Sequence, residues 1–375
     1  MRIGFDAKRA VQNFTGLGNY SRFMLDVLSN DASRPECLLY APHRRDNEEL
    51  SPVLARANVS ITYPESALGK RFPSLWRTWG ICRRLRSDAL NVYVGLSNEL
   101  PLSIRRSGVK SLLVVHDLIF LRYPSYYPFF DRLLYAYKYR RSCLNADHIV
   151  AISEQTKRDL MQFWHIAEEK ISVVYQGCNP VFSQPIAAER LDEVRRRYQL
   201  PRRFVLSVGS IEDRKNLLLA VKALEQLPPD VALVAVGKST VYAERVKQYV
   251  AEHGLEQRVL FFHKLPYADL PAFYRLASVF VYPSRFEGFG IPILEAIRSE
   301  VPVVAATGSC LEEAGGPDCL YVDPDDEVRL ADCIHEVLSH PATAQRMVER
   351  SLDYAHRFDK EQIGAAMMKV INSMV

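Results

Sequence analysis

Two carboxylates and two cations stand out by type and spacing. Glu287 and Glu295 are eight residues apart in YPSRFEGFGIPILEAIR, residues 282–298. Gly288 and Gly290 follow the first glutamate, with Phe289 and Ile291 beside them, and Pro292 precedes the second. A proline suits the first turn of a helix, where its missing N–H costs nothing. A glycine loop feeding a helix start presents free backbone N–H groups and a positive dipole end, which suits a phosphate. The same reading puts Glu295 in the first turn, where a carboxylate complements the dipole. The cations are Arg214 and Lys215 in FVLSVGSIEDRKN, residues 204–216, where a strand meets a helix start with Gly209 at the turn. Cations at that end oppose the dipole, which makes sense if they hold an anion. Two such termini predict one phosphate-containing ligand, with the glutamates accepting hydrogen bonds from sugar hydroxyls.

The first half carries weaker signals. Gly16, Gly18 and Asn19 lie in GLGNY after the strand-like run Arg2–Phe5. They read as a phosphate loop or as a simple turn. His116 and Asp117 close the run Ser111–Val115, at the strand end where ligands bind in α/β sheets; a satisfied structural histidine is the competing reading. Ser153 followed by Thr156 is an incomplete capping box. Gly237-Lys238 ends the apolar run ALVAV, too strand-like for a P-loop, and borders the expected pocket. Asp323-Pro324-Asp325 spells Asp-x-Asp, but its proline marks a turn. With no other Asp/His cluster at ligand spacing, no metal is predicted. A dinucleotide fingerprint fails at Ser21, where the third glycine belongs.

The elements that must position these residues are continuous Val/Ile/Leu/Phe runs, the pattern of strands buried on both faces of a parallel sheet. They alternate with amphipathic stretches through both halves. The expected fold class is therefore α/β, two doubly wound Rossmann-like domains facing across a cleft. The Pro-containing stretch 176–189 reads as a linker. It divides the chain into residues 1–180, residues 181–355 and a C-terminal helix 356–375 able to pack back on the first domain.

The 375 residues are 48% apolar and 25% charged, enough for two cores. No apolar stretch approaches the roughly 20 residues that span a bilayer. MRIGFDAKRA has no signal-peptide core, so the expected location is the cytosol, and seven scattered cysteines fit reduced thiols. The net charge of +4 hides a split: residues 1–187 carry 25 Lys and Arg against 17 Asp and Glu, and the rest 23 against 27. Residues 70–86 and 122–141 mix basic residues with Trp76, Trp79, Phe129, Phe130 and many tyrosines. That mixture suits an anionic membrane surface. It equally suits a helix pair with a packed aromatic face. No nucleic-acid reader motif accompanies the charge.

Four stretches together resemble one family: VGSIEDRKNL (208–217), residues 259–297, PVVAATGS (302–309) and YVDPDD (321–326). They look like the donor domain of a retaining glycosyltransferase of the GT-B fold, family 4, also called group 1. The resemblance implies that Lys215 binds a nucleotide diphosphate, Glu287 the transferred sugar and Glu295 the ribose. It implies that N–H groups of Gly288, Phe289, Gly290 and Ile291 hold the phosphates, that Leu265 borders the base, and that His116 contacts the sugar. Many members carry arginine directly after the glycine matched by Gly209. Here that residue is Ser210, and Arg214 is expected to supply the charge. The implied activity is transfer of a sugar from a nucleotide diphosphate donor to a glycan or lipid-linked acceptor with retention of configuration. No further cofactor is implied. A sugar-nucleotide epimerase and a non-catalytic sugar-nucleotide-binding protein are the alternative readings.

Overall fold

Runs rich in β-branched and aromatic residues form thirteen strands, and every strand pairing is parallel. The structure, a computed structural model, describes all residues 1–375. The chain divides into two compact units, Met1–Gly177 with Phe358–Val375, and Cys178–Arg357.

Unit 1 holds β1 (Arg2–Asp6), β2 (Glu36–Tyr40), β3 (Val59–Thr62), β4 (Val92–Gly95), β5 (Lys110–Val115), β6 (His148–Ala151) and β7 (Ile171–Val173). Their order in the sheet is β3-β2-β1-β4-β5-β6-β7. Unit 2 holds β8 (Arg203–Val208), β9 (Val231–Val236), β10 (Val259–Phe262), β11 (Val279–Tyr282), β12 (Val303–Ala306) and β13 (Leu320–Val322), in the order β10-β9-β8-β11-β12-β13. Each sheet reverses its strand order once, between β1 and β4 and between β8 and β11. This is the doubly wound arrangement the apolar runs imply.

The middle strands are buried on both faces. β4, β9, β11 and β12 have no exposed residue, because helices cover both sides. In unit 2, Leu217, Val221 and Leu224 of helix Leu217–Leu224 pack with Leu233, Val281 and Ile334. In unit 1, Tyr93, Leu113, Phe120 and Leu160 share a core with Trp164. The last helix, Lys360–Met374, lies against helix Gly16–Ser29 of unit 1. Gly364 allows that approach, since a Cβ there would lie 2.5 Å from Val27 Cγ1.

The aromatic stretch is both buried and exposed. Tyr127, Tyr135, Tyr139 and Trp164 surround the Phe120 ring at 5.7–6.3 Å. On the same helix, Phe129–Asn145, the side chains of Phe129, Phe130, Leu133, Leu134 and Tyr137 are exposed, Phe130 by 81%. No helix is long and apolar enough to cross a membrane.

Candidate functional site

Unit 2 gathers polar residues beyond the carboxyl ends of β8 and β11, where its strand order reverses. After β8, Gly209 turns with φ +145°, and a Cβ there would lie 2.9 Å from Lys215 Cδ. After β9, Gly237 has φ +157°, and its Cβ would fall 1.8 Å from the Gly209 carbonyl oxygen. Only glycine lets these two turns touch backbone to backbone. An isolated bridge between Ile211 and Ser239 and the bond from the Ile211 N–H to the Lys238 carbonyl (2.9 Å) tie them together. The Lys238 side chain itself points to solvent.

The two cations lie on the single 3-10 turn Asp213–Lys215. Asn216 follows in the left-handed region at φ 57°, so the next helix starts only at Leu217. The expected opposition to a helix dipole is therefore relieved. What compensates the cations is Glu287. Its Oε1 accepts from Lys215 Nζ at 2.9 Å, from the Tyr282 hydroxyl at 3.0 Å and from the Ser284 hydroxyl at 2.8 Å. Its Oε2 pairs with Arg214 at 2.7 Å. Burial alone would raise the Glu287 pKa, but Lys215 and Arg214 outweigh it and hold the group at about 2.

Arg214 and Lys215 are used differently. Arg214 gives Nη1 to the Phe286 carbonyl (2.6 Å) and Nη2 to Glu212 (2.6 Å), besides its pair with Glu287. Its donors thus brace the loop that carries Glu287. Lys215 Nζ bonds only side chains, Glu287 and the Tyr282 hydroxyl at 2.6 Å. Its side chain lines a small recess with Gly209, Ser210 and Tyr282.

Gly290 has φ 131° and opens helix Ile291–Arg298, which no side chain caps. Uncapped helix starts leave N–H groups for a ligand. Gly288 and Phe289 belong to a loop pinned from behind, where the Cys310 thiol donates to the Glu287 and Phe289 carbonyls at 3.0 and 2.9 Å. Glu295 is the fifth residue of this helix rather than a first-turn residue, because the helix begins at Ile291, one residue before Pro292. It accepts from the Tyr274 hydroxyl at 2.9 Å, and burial pushes its pKa up to about 7. Leu265 is half-buried in the loop after β10 and does not line the Lys215 recess. Asp323 accepts from the Asp325 N–H at 2.8 Å, and Asp325 pairs with Arg285 at 2.6 Å. The Asp-x-Asp segment is thus a self-closed turn. No group of three or more His, Cys, Asp or Glu side chains is placed to hold a metal ion.

In unit 1, His116 ends up buried beyond β5. Its Nε2 lies 2.9 Å from the Leu96 carbonyl. A carbonyl only accepts, so Nε2 carries the proton and Nδ1 is left as an acceptor. Burial lowers the pKa to about 4, keeping the ring neutral. The Tyr20 ring meets it edge-on at 4.6 Å. Gly18 is required by crowding, since its Cβ would lie 1.8 Å from the Asn13 carbonyl oxygen. Its N–H is taken by Thr15 O (2.9 Å) and Asn13 Oδ1 (3.2 Å), while Gly16 has open space around it. Asn19 accepts from Arg22, and Asp117 from the Ile119 N–H at 3.2 Å. Ser153 caps helix Glu154–Trp164 through the Thr156 N–H at 3.0 Å.

Sequence reasoning missed Tyr282, Ser284, Tyr274, Cys310 and Asn216. Asn216 donates to the Pro324 carbonyl at 2.7 Å and the Pro283 carbonyl at 3.3 Å, joining three loops. The available signal was position: Tyr282 ends the apolar run that becomes β11, and Ser284 stands two residues beyond it.

Two doubly wound parallel α/β units in one chain define the class of fold as GT-B. The family assignments agree with the geometry. Residues 192–353 match the family described as glycosyl transferases group 1, and residues 28–182 match glycosyltransferase family 4. The two matches, one in each unit, make the chain a GT-B-fold glycosyltransferase related to these families. It is 28% identical over 360 residues to the O-antigen chain mannosyltransferase RfbU of Salmonella typhimurium, covering 93% of this chain and 95% of that one. It is 29% identical over 276 residues to O-antigen chain mannosyltransferase B of Escherichia coli, covering 72% and 71%. The fold matches that of Anabaena Alr3699/HepE, solved in complex with UDP, with a TM-score of 0.77, 18% identity and full coverage of both chains.

Proposed function

We propose that this enzyme transfers a hexose, with retention of configuration, from a nucleoside diphosphate sugar to a glycan or lipid-linked acceptor in cell-surface polysaccharide or lipopolysaccharide synthesis. The observation that carries the reading is Glu287 held between Lys215 and Arg214 beside an uncapped, glycine-opened helix start. Mannose transfer by the named relatives favours a mannose donor.

The chemistry follows from these groups. Breaking the donor's glycosidic bond leaves negative charge on the diphosphate. Lys215 and the N–H groups of residues 288–291 would stabilise that charge, as an oxyanion hole does. Arg214, committed to Phe286, Glu212 and Glu287, keeps the carboxylate in place. Glu287 is a poor nucleophile here: four donors engage its oxygens and its pKa is low. Its role is to position sugar hydroxyls, which supports same-face substitution assisted by the departing phosphate over a covalent glycosyl-enzyme. Neutral His116 would accept a hydrogen bond from the sugar through Nδ1. Glu295 would accept from the ribose and Leu265 would border the base.

Because Lys215 provides the countercharge, the reaction should run without a metal. The test is a panel of nucleoside diphosphate sugars scored for slow hydrolysis with and without EDTA. One donor should be cleaved at the same rate in both. Cleavage of none, isomerisation without cleavage, or strong loss with EDTA would each contradict the reading. The cytosolic face of a membrane is the proposed location, supported by the exposed apolar residues of Phe129–Asn145 beside Arg132, Arg140 and Arg141.

A further inference from the structure

Unit 1 has a pocket that the donor chemistry leaves unused. It lies beyond the carboxyl ends of β1 and β4, the strand pair where the unit 1 sheet reverses order. That crevice is where doubly wound sheets bind ligands. The pocket has a cavity volume of about 130 Å³ and opens to solvent, so it would hold one end of a ligand that extends outside it. Lys8, two residues past β1, and Glu99, four residues past β4, form part of its wall. Gln12, His43, Arg77 and Lys138 face the same space.

The charges in this wall are of two kinds. Arg77, on the wide π-helical turn Trp76–Gly80, is spent. It grips both Asp6, with Nε 3.0 Å from Oδ2, and Glu99. Burial works against its charge, but Asp6 and Glu99 together hold the guanidinium more firmly protonated than usual. The triad is therefore a brace in which one guanidinium is shared by two carboxylates, leaving one net negative charge. Lys8 and Lys138 differ. Neither ammonium has a carboxylate within ion-pair range or a hydrogen-bonded side-chain partner. Lys8 is also half-buried, and that desolvation lowers its pKa. Asp6 and Glu99 act on Lys8 from beyond ion-pair distance, but Arg77, Lys8 and Lys138 together outnumber those two carboxylates, leaving one cation in excess that an anionic ligand would relieve.

The helices flanking the pocket carry much of the exposed apolar surface of this protein. Ser74, Arg77 and Thr78 line it from a segment that exposes Leu75 and Trp79. Lys138 and Ser142 line it from the helix that exposes Phe130, Leu133 and Tyr137.

We infer that this pocket binds the acceptor through an anionic group, a phosphoester or a carboxylate, held between Lys8 and Lys138. Gln12, Thr78 and Glu99 would meet adjoining sugar hydroxyls. The inference rests on the transferase reading above, which supplies the need for an acceptor. It adds that the acceptor is charged where it meets unit 1.

The test uses the full chain and its own tryptophans. All three, Trp76, Trp79 and Trp164, belong to unit 1, and two flank Arg77. Inorganic pyrophosphate, D-glucuronate and the neutral methyl mannoside are titrated while tryptophan emission is followed. The titrations are repeated in Lys215→Ala, which removes the main cation of the unit 2 site. One or both anions should bind saturably in the wild type and in Lys215→Ala, and at least tenfold more tightly than the neutral sugar. The pair Lys8→Gln and Lys138→Gln should weaken anion binding at least tenfold, while Lys8→Arg retains it. Tighter binding of pyrophosphate assigns a phosphoester acceptor, and tighter binding of glucuronate an acidic sugar. Absence of saturable anion binding, or equal binding in the glutamine variants, overturns the inference. If donor hydrolysis runs but no anion binds, this inference alone falls. If no donor is cleaved while the anion still binds at Lys8 and Lys138, the transferase reading falls and the site stands.

Discussion

Glu287 organises the unit 2 site by what it is bonded to. Its carboxylate unites Arg214, Lys215, Tyr282 and Ser284, and only about 13% of the side chain is exposed. Removing it leaves two cations facing each other with little water. Glu287→Ala should therefore cost about 3–5 kcal/mol, the usual loss for breaking a buried ion pair from one side. Urea denaturation checks this. The pH sign follows from its lowered pKa. The carboxylate's contribution is full above its ordinary value of 4.5 and disappears as pH falls through about 2. Glu295 has the opposite sign. Its folded pKa is raised to about 7, so its contribution is full below 4.5 and lost as pH rises through 7. Nucleotide binding through the Glu295 carboxylate should weaken below pH 7 as the group protonates. Glu295→Gln should flatten that dependence, measured as nucleotide Kd from pH 5.5 to 8.5.

At the scale of elements, the site is made by strand ends and by two turns in contact. Gly237 sits 1.8 Å, counted from a would-be Cβ, from the Gly209 carbonyl. Gly237→Ala should cost about 1–3 kcal/mol in backbone strain alone. It should also push the Gly209 turn away from Lys215, raising the donor KM; a melt and a kinetic titration read the two effects. The strands themselves were legible because parallel strands buried on both faces are written as unbroken apolar runs: ALVAV became the centre of β9 and VFVY became β11. The glutamates and Lys215 were legible through glycine loops at strand ends. Tyr274 and Cys310 were not, because each reaches the site from a different element across the fold, 21 residues from Glu295 and Phe289 respectively. Glu295 was placed one residue too near the helix start because proline marks that start only approximately, and the helix begins at Ile291, before Pro292. The aromatic stretch 122–141 could not be divided into packed and exposed residues until Phe120 supplied the ring around which the tyrosines close.

Across the whole molecule, charge and apolar exposure are unevenly distributed. The first 187 residues carry the cationic excess, and five of the seven large exposed aromatics, Phe72, Trp79, Phe129, Phe130 and Tyr137, lie between residues 68 and 144. Basic residues interleaved with exposed aromatics suit an anionic bilayer interface. In flotation assays the protein should rise with anionic vesicles at low salt and be released at high salt, because these charges are screened within about 10 Å at 0.1 M. Phe130→Ser with Leu134→Ser should weaken flotation. Failure to bind at low salt would remove the membrane from the account. In the proposed function the acidic second half carries the donor machinery, with Lys215 as its working cation. The most direct test of that claim is the hydrolysis rate of the preferred sugar nucleotide in wild type and Lys215→Ala. The account predicts a loss of at least ~10²-fold, the scale of losing one oxyanion-hole donor, with the variant still folded. A rate within about twofold of wild type would contradict it.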